Sequence, residues 1–138
     1  MEKQYNSLRE KIAAEKQERA KLYENFAQLL ARANREGFAK AEMITPPEMC
    51  VHDPATGKVY HVSEGACGFA WVTVKPANSS FGRWLIKNGH ARKGYYGGAE
   101  IWISAHGQSM ARKETHAYAM AQAFREAGFA AFSGSRMD

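Results

Sequence analysis

The sequence predicts a mixed α+β domain in which a long, charged N-terminal helix precedes a β-α-β-β-α-β module. Three observations predict it. Residues 2 to about 36 contain no proline or glycine and are rich in Ala, Glu, Lys, Gln, Arg and Leu, all good helix formers. From Gly68 onward, short β-rich runs alternate with amphipathic runs of helical period. Two of the β-rich runs meet at Gly97-Gly98, a pair that accepts the positive φ of a tight hairpin turn.

At 138 residues and 15.4 kDa the chain has room for a single domain. We divide it into an N-terminal helix (1–37), a linker and hairpin (41–67) and a basic module (68–138). Hydrophobic residues at 45% and aromatics at 12% suffice for one core and argue against a disordered chain. No apolar run approaches the roughly 20 residues that span a bilayer. The opening MEKQYNSLREKIAAEKQERAK has no apolar h-region and does not read as a signal peptide, so a cytoplasmic location is expected.

The helix begins with Tyr5, Leu8 and Ile12 and resumes its apolar stripe at Tyr23, Phe26, Leu30 and Ala33. Glu15 to Arg19 is polar on almost every side, which argues against a continuous coiled coil. The second half should therefore be buried and the first half solvated or paired with a partner chain. Asn34 and Gly37 suggest the stop.

Pro46-Pro47 breaks any helix. Met49 to His52 and Val59 to Val62 read as an accessory hairpin around Asp53-Pro54-Ala55-Thr56-Gly57-Lys58. Gly68 to Val74 (GFAWVTV) is a strand closed by Pro76. Ser79-Ser80 caps a helix carrying Phe81, Trp84, Leu85 and Ile86, which stops at Asn88-Gly89. Arg92 to Tyr96 and Ala99 to Ser104 are strands about the Gly97-Gly98 turn. Ser109 caps a helix of about 110–127 with Ala117, Met120, Ala121, Phe124 and Ala127 on its apolar side, and Phe129 to Arg136 is the last strand.

That order is the ferredoxin-like, or split βαβ, motif. Right-handed crossovers would place the Gly68 and Ala99 strands side by side in the middle, with both module helices on one face. Side chains alternate along a strand. The small set Ala70, Val72, Val74, Ala99, Ile101 and Ile103 suits the surface beneath helices. The opposite face would carry Phe69, Trp71, Lys75, Lys93, Tyr95, Glu100 and Trp102, with the register fixed by Gly97-Gly98: Tyr95 opposite Glu100 and Lys93 opposite Trp102. Aromatics mixed with cations on a sheet face make a stacking surface for unpaired bases.

The charge distribution points the same way. The net charge of +5 divides unevenly: residues 1–68 hold ten Lys/Arg and ten Asp/Glu, residues 69–138 nine and four. A basic field confined to the C-terminal half favours polyanions or acidic protein surfaces.

Over residues 68–136 the predicted topology and aromatic placement resemble an RNA-recognition-motif platform. Lys93-Gly94-Tyr95 begins like that family's octapeptide, but Gly97 stands where its next aromatic would be and the segment lies on the second strand. The resemblance therefore implies a stacking platform and not membership. Tyr95-Tyr96-Gly97-Gly98, Gly107-Gln108-Ser109, Arg112-Lys113-Glu114, Ser135-Arg136-Met137-Asp138 and Cys67-Gly68-Phe69-Ala70-Trp71-Val72 resemble stretches of small uncharacterised bacteriophage and mobile-element proteins. That resemblance implies a setting in which proteins of this size bind host machinery, nucleic-acid-guided defence complexes included.

An exposed Phe-Trp-Trp patch is a liability in a monomer. The stripe Tyr23, Phe26, Leu30, or a dimer partner, is one candidate cover; the other reading leaves the face open for a ligand. Cys50 and Cys67 with His52 and His61 give C-x-H…H…C, which lacks the tight C-x-x-C knuckle of structural zinc sites. Two reduced, half-buried thiols are expected, with no metal and no cofactor. His90 and His106 fall at neighbouring strand ends, near Ser104, Ser109 and Tyr95, the residue types of a metal-independent ribonuclease. No phosphate loop, H-E-x-x-H or G-x-S-x-G is present.

These features together support a non-enzymatic, phage-type binding protein with no catalytic residues. It would engage nucleic acid, or a host complex that handles it, through Phe69, Trp71, Lys75, Arg92, Lys93, Tyr95, Trp102 and Arg136. The alternative is a protein-only inhibitor or adaptor of host defence, anti-CRISPR-like, docking by its N-terminal helix, as a monomer or as a homodimer. A metal-independent ribonuclease is the third reading.

Overall fold

The computed structural model describes residues 2–46, 49–62 and 65–138; for residues 2–5, 49, 51, 61 and 62 it describes the backbone alone. The expectations for Pro47 and for the side chains of Tyr5 and His61 lie outside the described residues.

Helix α1 runs Glu2–Met43, beyond the stop expected at Asn34 and Gly37. Gly37 sits inside the helix because it is a contact point, not a cap: a Cβ there would lie 2.3 Å from the His116 ring. The helix ends three residues before Pro46, where the approach to proline disfavours the α region. Every side chain from Asn6 to Asn25 is exposed, whereas Phe26, Ala33, Gly37 and Ala41 are buried. The expected change from an exposed first half to a buried stripe in the second half is what the single chain contains.

The hairpin pairs β1 (Met49–His52) with β2 (Val59–Val62), Cys50 opposite His61. Asp53 closes its turn, accepting from the Ala55 N–H at 2.9 Å and the Thr56 hydroxyl at 2.9 Å. These bonds favour the charged carboxylate and lower its pKa.

Strands β3 (Gly68–Lys75), β4 (Arg92–Lys93), β5 (Ala99–Trp102) and β6 (Ala130–Met137) form an antiparallel four-stranded sheet of order β4-β5-β3-β6, not a closed barrel. Helices α2 (Ser80–Lys87) and α3 (Met110–Glu126) carry the expected caps: Ser79 accepts from the Gly82 N–H, and Ser109 from the Arg112 N–H. Gly89 and Gly128 take the positive φ that ends each helix.

The alternation reading holds along the two central strands. Ala70, Val72, Val74 and Ala99 are fully buried, with Ile101 and Ile103 nearly so, and they pack with Phe81, Leu85, Met120 and Phe124. Close packing of this kind contributes most of the stability of a small domain. Helix α1 packs along α3 and touches α2. Its Phe26 ring lies 5.0 Å from Phe81, 5.9 Å from Trp84 and 6.0 Å from Phe129. The notion that Tyr23, Phe26 and Leu30 cover the aromatic sheet face is thereby corrected. The helices present their own apolar surface outward, and α1 is spent on that.

The β4–β5 register also differs from expectation. Arg92 opposes Glu100 and Lys93 opposes Ala99, so the connection is Gly94–Gly98 and not a two-residue turn. Three glycines explain the wider loop. A Cβ at Gly94 would lie 2.7 Å from the Glu100 carboxyl carbon, and one at Gly98 2.3 Å from Thr73 Cγ2, while Gly97 has φ +90°. Lys93 therefore shares the face of Ala99, and Tyr95, 94% exposed, leaves the sheet altogether.

Candidate nucleic-acid interface

Register brings the open face together. Trp71 lies directly opposite Trp102, Phe69 opposite Arg136, and Thr73 opposite Phe132. The Trp71 and Trp102 rings are 4.9 Å apart and tilted by 31°; Phe69 meets Trp102 edge-on at 6.1 Å. All three aromatics are half-buried. Such offset and edge contacts are the favourable geometries for aromatic pairs.

Cations frame the rings. The Arg92 guanidinium stands 4.6 Å from the Trp102 ring centroid, and Arg136 reaches over Phe69 at 5.4 Å and Trp102 at 5.9 Å. Lys113, from the first turn of α3, approaches Phe69 at 5.7 Å while donating to the Gly68 carbonyl. Lys75 is exposed at the end of β3 on the same face. The Trp102 indole N–H is buried and has no hydrogen-bond partner among the described residues.

Of the eight residues singled out in the sequence, the fold gathers Phe69, Trp71, Lys75, Arg92, Trp102 and Arg136 on one face and sends Lys93 and Tyr95 elsewhere. Sequence reasoning missed Phe132 and Gly134. Extending the alternation to β6, in register with Phe69, Trp71 and Thr73, would have found both.

A second polar cluster lies on the helix side. His116 is 1% exposed. Its Nε2 is 2.8 Å from Asn34 Oδ1 and its Nδ1 2.8 Å from His106 Nε2. Phe38 packs edge-on against the His116 ring at 4.7 Å and tilted against His106 at 5.3 Å. Burial, with the neighbouring His106, pushes the His116 pKa down to about 4. Burial and then Arg112 lower that of His106. A neutral His116 carries one proton. With Nε2–H donating to Asn34, Nδ1 must accept from His106 Nε2–H. The expected partnership of His106 with His90 is not formed: His90 stacks on Trp84, ring centroids 5.3 Å apart. The helical spacing of Lys113, His116, Ala117 and Met120 was the signal that His116 is buried.

The two cysteines are exposed, not half-buried. No group of three His, Cys, Asp or Glu side chains able to hold a metal occurs among the described residues. No helix among them is long and apolar enough to cross a membrane. Compared with protein-family models, curated proteins and solved structures, the chain matches none.

Proposed function

We propose that the protein binds single-stranded nucleic acid, without catalysis, on the open face of a ferredoxin-like sheet. The strand order β4-β5-β3-β6, with both module helices on one side, is what supports the ferredoxin-like description. The observation that carries the functional reading is the Trp71–Trp102 pair, rings 4.9 Å apart on the helix-free face and framed by Arg92 and Arg136. Half-exposed indoles offer π-faces to any base, and guanidiniums beside them neutralise phosphates. The basic C-terminal half would steer a polyanion to this face. In a phage setting the bound strand would belong to the host or to a host nucleoprotein complex.

Fluorescence anisotropy with labelled single-stranded RNA and DNA, at several salt concentrations, tests the reading. Affinity should fall steeply with salt because bound counterions are released, with a logarithmic slope of about −0.7 for each phosphate neutralised. Absence of binding at low salt would exclude it.

One observation favours a second reading. Leu8 and Ile12 are 55% and 50% exposed on a stretch of α1 whose side chains are exposed from Asn6 to Asn25. Most helical stability in proteins comes from packing an amphipathic face, which a partner would supply here. An inhibitor or adaptor of host defence docking by α1, or a homodimer through it, is the corresponding proposal. Pull-down from nuclease-treated host lysate, together with the mass in solution, distinguishes these from strand binding.

A further inference from the structure

On the helix side of the sheet a cavity of about 660 Å³ opens between α1, the turn after α2 and the segment after β5. Small-molecule sites typically measure roughly 300–1,000 Å³. Leu30, Phe38, Trp84 and Met120 contribute apolar lining. The polar lining comes from Asn34, His90, Ser104 and His116, and no Lys, Arg, Asp or Glu among the described residues lines the cavity.

Asn34 and His116 bond to each other, and other polar groups of the lining keep free bonding capacity. Asn34 Oδ1 is taken by His116, which fixes the amide and leaves its Nδ2 donor with no partner among the described residues. The same holds for the Ser104 hydroxyl, which is exposed on the chain leaving β5. Gly89, at φ +77°, turns the chain so that the His90 ring returns over Trp84. Three elements thus converge an amide donor, a hydroxyl and an imidazole around an aromatic wall. Burial keeps His116 neutral near neutral pH.

We propose that this cavity binds an uncharged, nitrogen-containing heteroaromatic molecule of nucleobase or nucleoside size. A phosphate or carboxylate would give up water with no Lys or Arg in the described lining to replace it. A purely aliphatic ligand would cover the amide, hydroxyl and imidazole without bonding to them. A planar heterocycle satisfies both requirements, lying against Trp84 and Phe38 while its ring nitrogens and exocyclic groups meet Asn34 and Ser104.

The test titrates the full chain with adenosine, and with adenosine monophosphate as the anionic comparator, by equilibrium dialysis and by NMR chemical shifts. Three variants accompany it. Ala31→Trp, at an exposed position of α1 that lines the cavity, fills it. Ser104→Ala removes one hydrogen bond, and Trp71→Ala removes the sheet-face platform. The expected result is saturable adenosine binding that shifts resonances of Trp84 and His116. It should survive Trp71→Ala, weaken about tenfold or more in Ala31→Trp, and weaken about two- to tenfold in Ser104→Ala. The monophosphate should bind no more tightly than adenosine. If Ala31→Trp does not fold, the shift pattern and Ser104→Ala decide alone. No saturable binding to the folded wild type, binding lost with Trp71→Ala, or a clear preference for the monophosphate would each overturn the proposal.

Discussion

The Trp71 indole rests on the bare backbone of Gly134: a Cβ built at that glycine would lie 2.7 Å from ring atom Cε2 and 2.8 Å from Nε1. Gly134 faces Trp71 directly across the β3–β6 ladder, so the missing side chain is what lets the ring lie down on the neighbouring strand. Glycine weakens a strand by itself and often marks such a close approach. Gly134→Ala should tilt Trp71 away from Trp102, alter the near-UV circular dichroism of the pair, and weaken single-strand binding by about 1 kcal/mol, part of the value of one stacked base. Stability should move by less than about 1 kcal/mol, since added strand propensity offsets the crowding. An unchanged near-UV spectrum would mean that the ring has another seat.

His116 gives a pH dependence of defined sign. Its pKa falls from an ordinary 6.5 to about 4 in the fold, so the folded state resists the proton that the unfolded state takes up. The stability that a neutral His116 confers is complete above about pH 6.5 and is lost as pH falls toward 4; the whole gap is worth about 3 kcal/mol. His106, lowered by burial and by Arg112 and Lys113 against the opposing Glu42, acts in the same direction. Urea denaturation at pH 7, 5.5 and 4.5 should show this loss in the wild type and a much flatter profile in His116→Gln. Equal slopes in the two proteins would remove His116 from the account.

The sequence was most readable where a single rule governs placement. Alternation put Ala70, Val72 and Val74 on one side of β3 and Trp71 with Trp102 on the other, because one buried face leaves a strand no choice of parity. The Ser79 and Ser109 caps were readable because an orphan N–H needs an oxygen nearby. The loop after β4 was not. Gly97-Gly98 alone satisfies a two-residue turn, and what widens it is the contact of Gly94 with Glu100 and of Gly98 with Thr73, both set by neighbouring strands. Gly37 misled for a similar reason: its partner, His116, is 79 residues away in the chain by the numbering. The site was legible as six aromatics and cations sharing a face, and illegible at Lys93 and Tyr95, whose positions depended on that loop.

Phe124 and Phe132 set the scale for the two faces of the sheet. Phe124 is fully buried and meets Phe81 edge-on at 5.2 Å, whereas Phe132 is 53% exposed on the open side. Phe124→Ala should cost about 3–5 kcal/mol and Phe132→Ala less than about 1 kcal/mol. Equal losses in thermal melts would place the core elsewhere.

Removing residues 1–15 should leave the melting temperature within a few degrees of wild type, because the side chains described there, from Asn6 on, are all exposed. Removing residues 1–36 takes away Phe26 and Ala33, uncovers Phe81 and Trp84, and should cause aggregation. The shorter deletion also separates the two functional readings. Strand binding should persist in it, while docking through α1 should not.

Arg92 and Lys93 are adjacent cations that the observed register puts on opposite faces: Arg92 with Glu100 and over Trp102, Lys93 with Ala99. Both charges add to the long-range field, so each alanine variant should lose a similar amount of salt-sensitive affinity at low ionic strength. Only Arg92 also sits against the ring on which a base would stack, and a guanidinium stacked on an aromatic contributes about 0.5–1 kcal/mol or more. Raising the salt shortens the screening length to about 3 Å at 1 M and removes the shared term. Anisotropy titrations at moderate salt should therefore show Arg92→Ala binding several-fold more weakly than Lys93→Ala, with the ratio growing as salt rises. Equal affinities across the series would mean that the strand does not lie over Trp102. A larger loss for Lys93→Ala would restore the register in which Lys93 faces Trp102, and with it the two-residue turn at Gly97-Gly98.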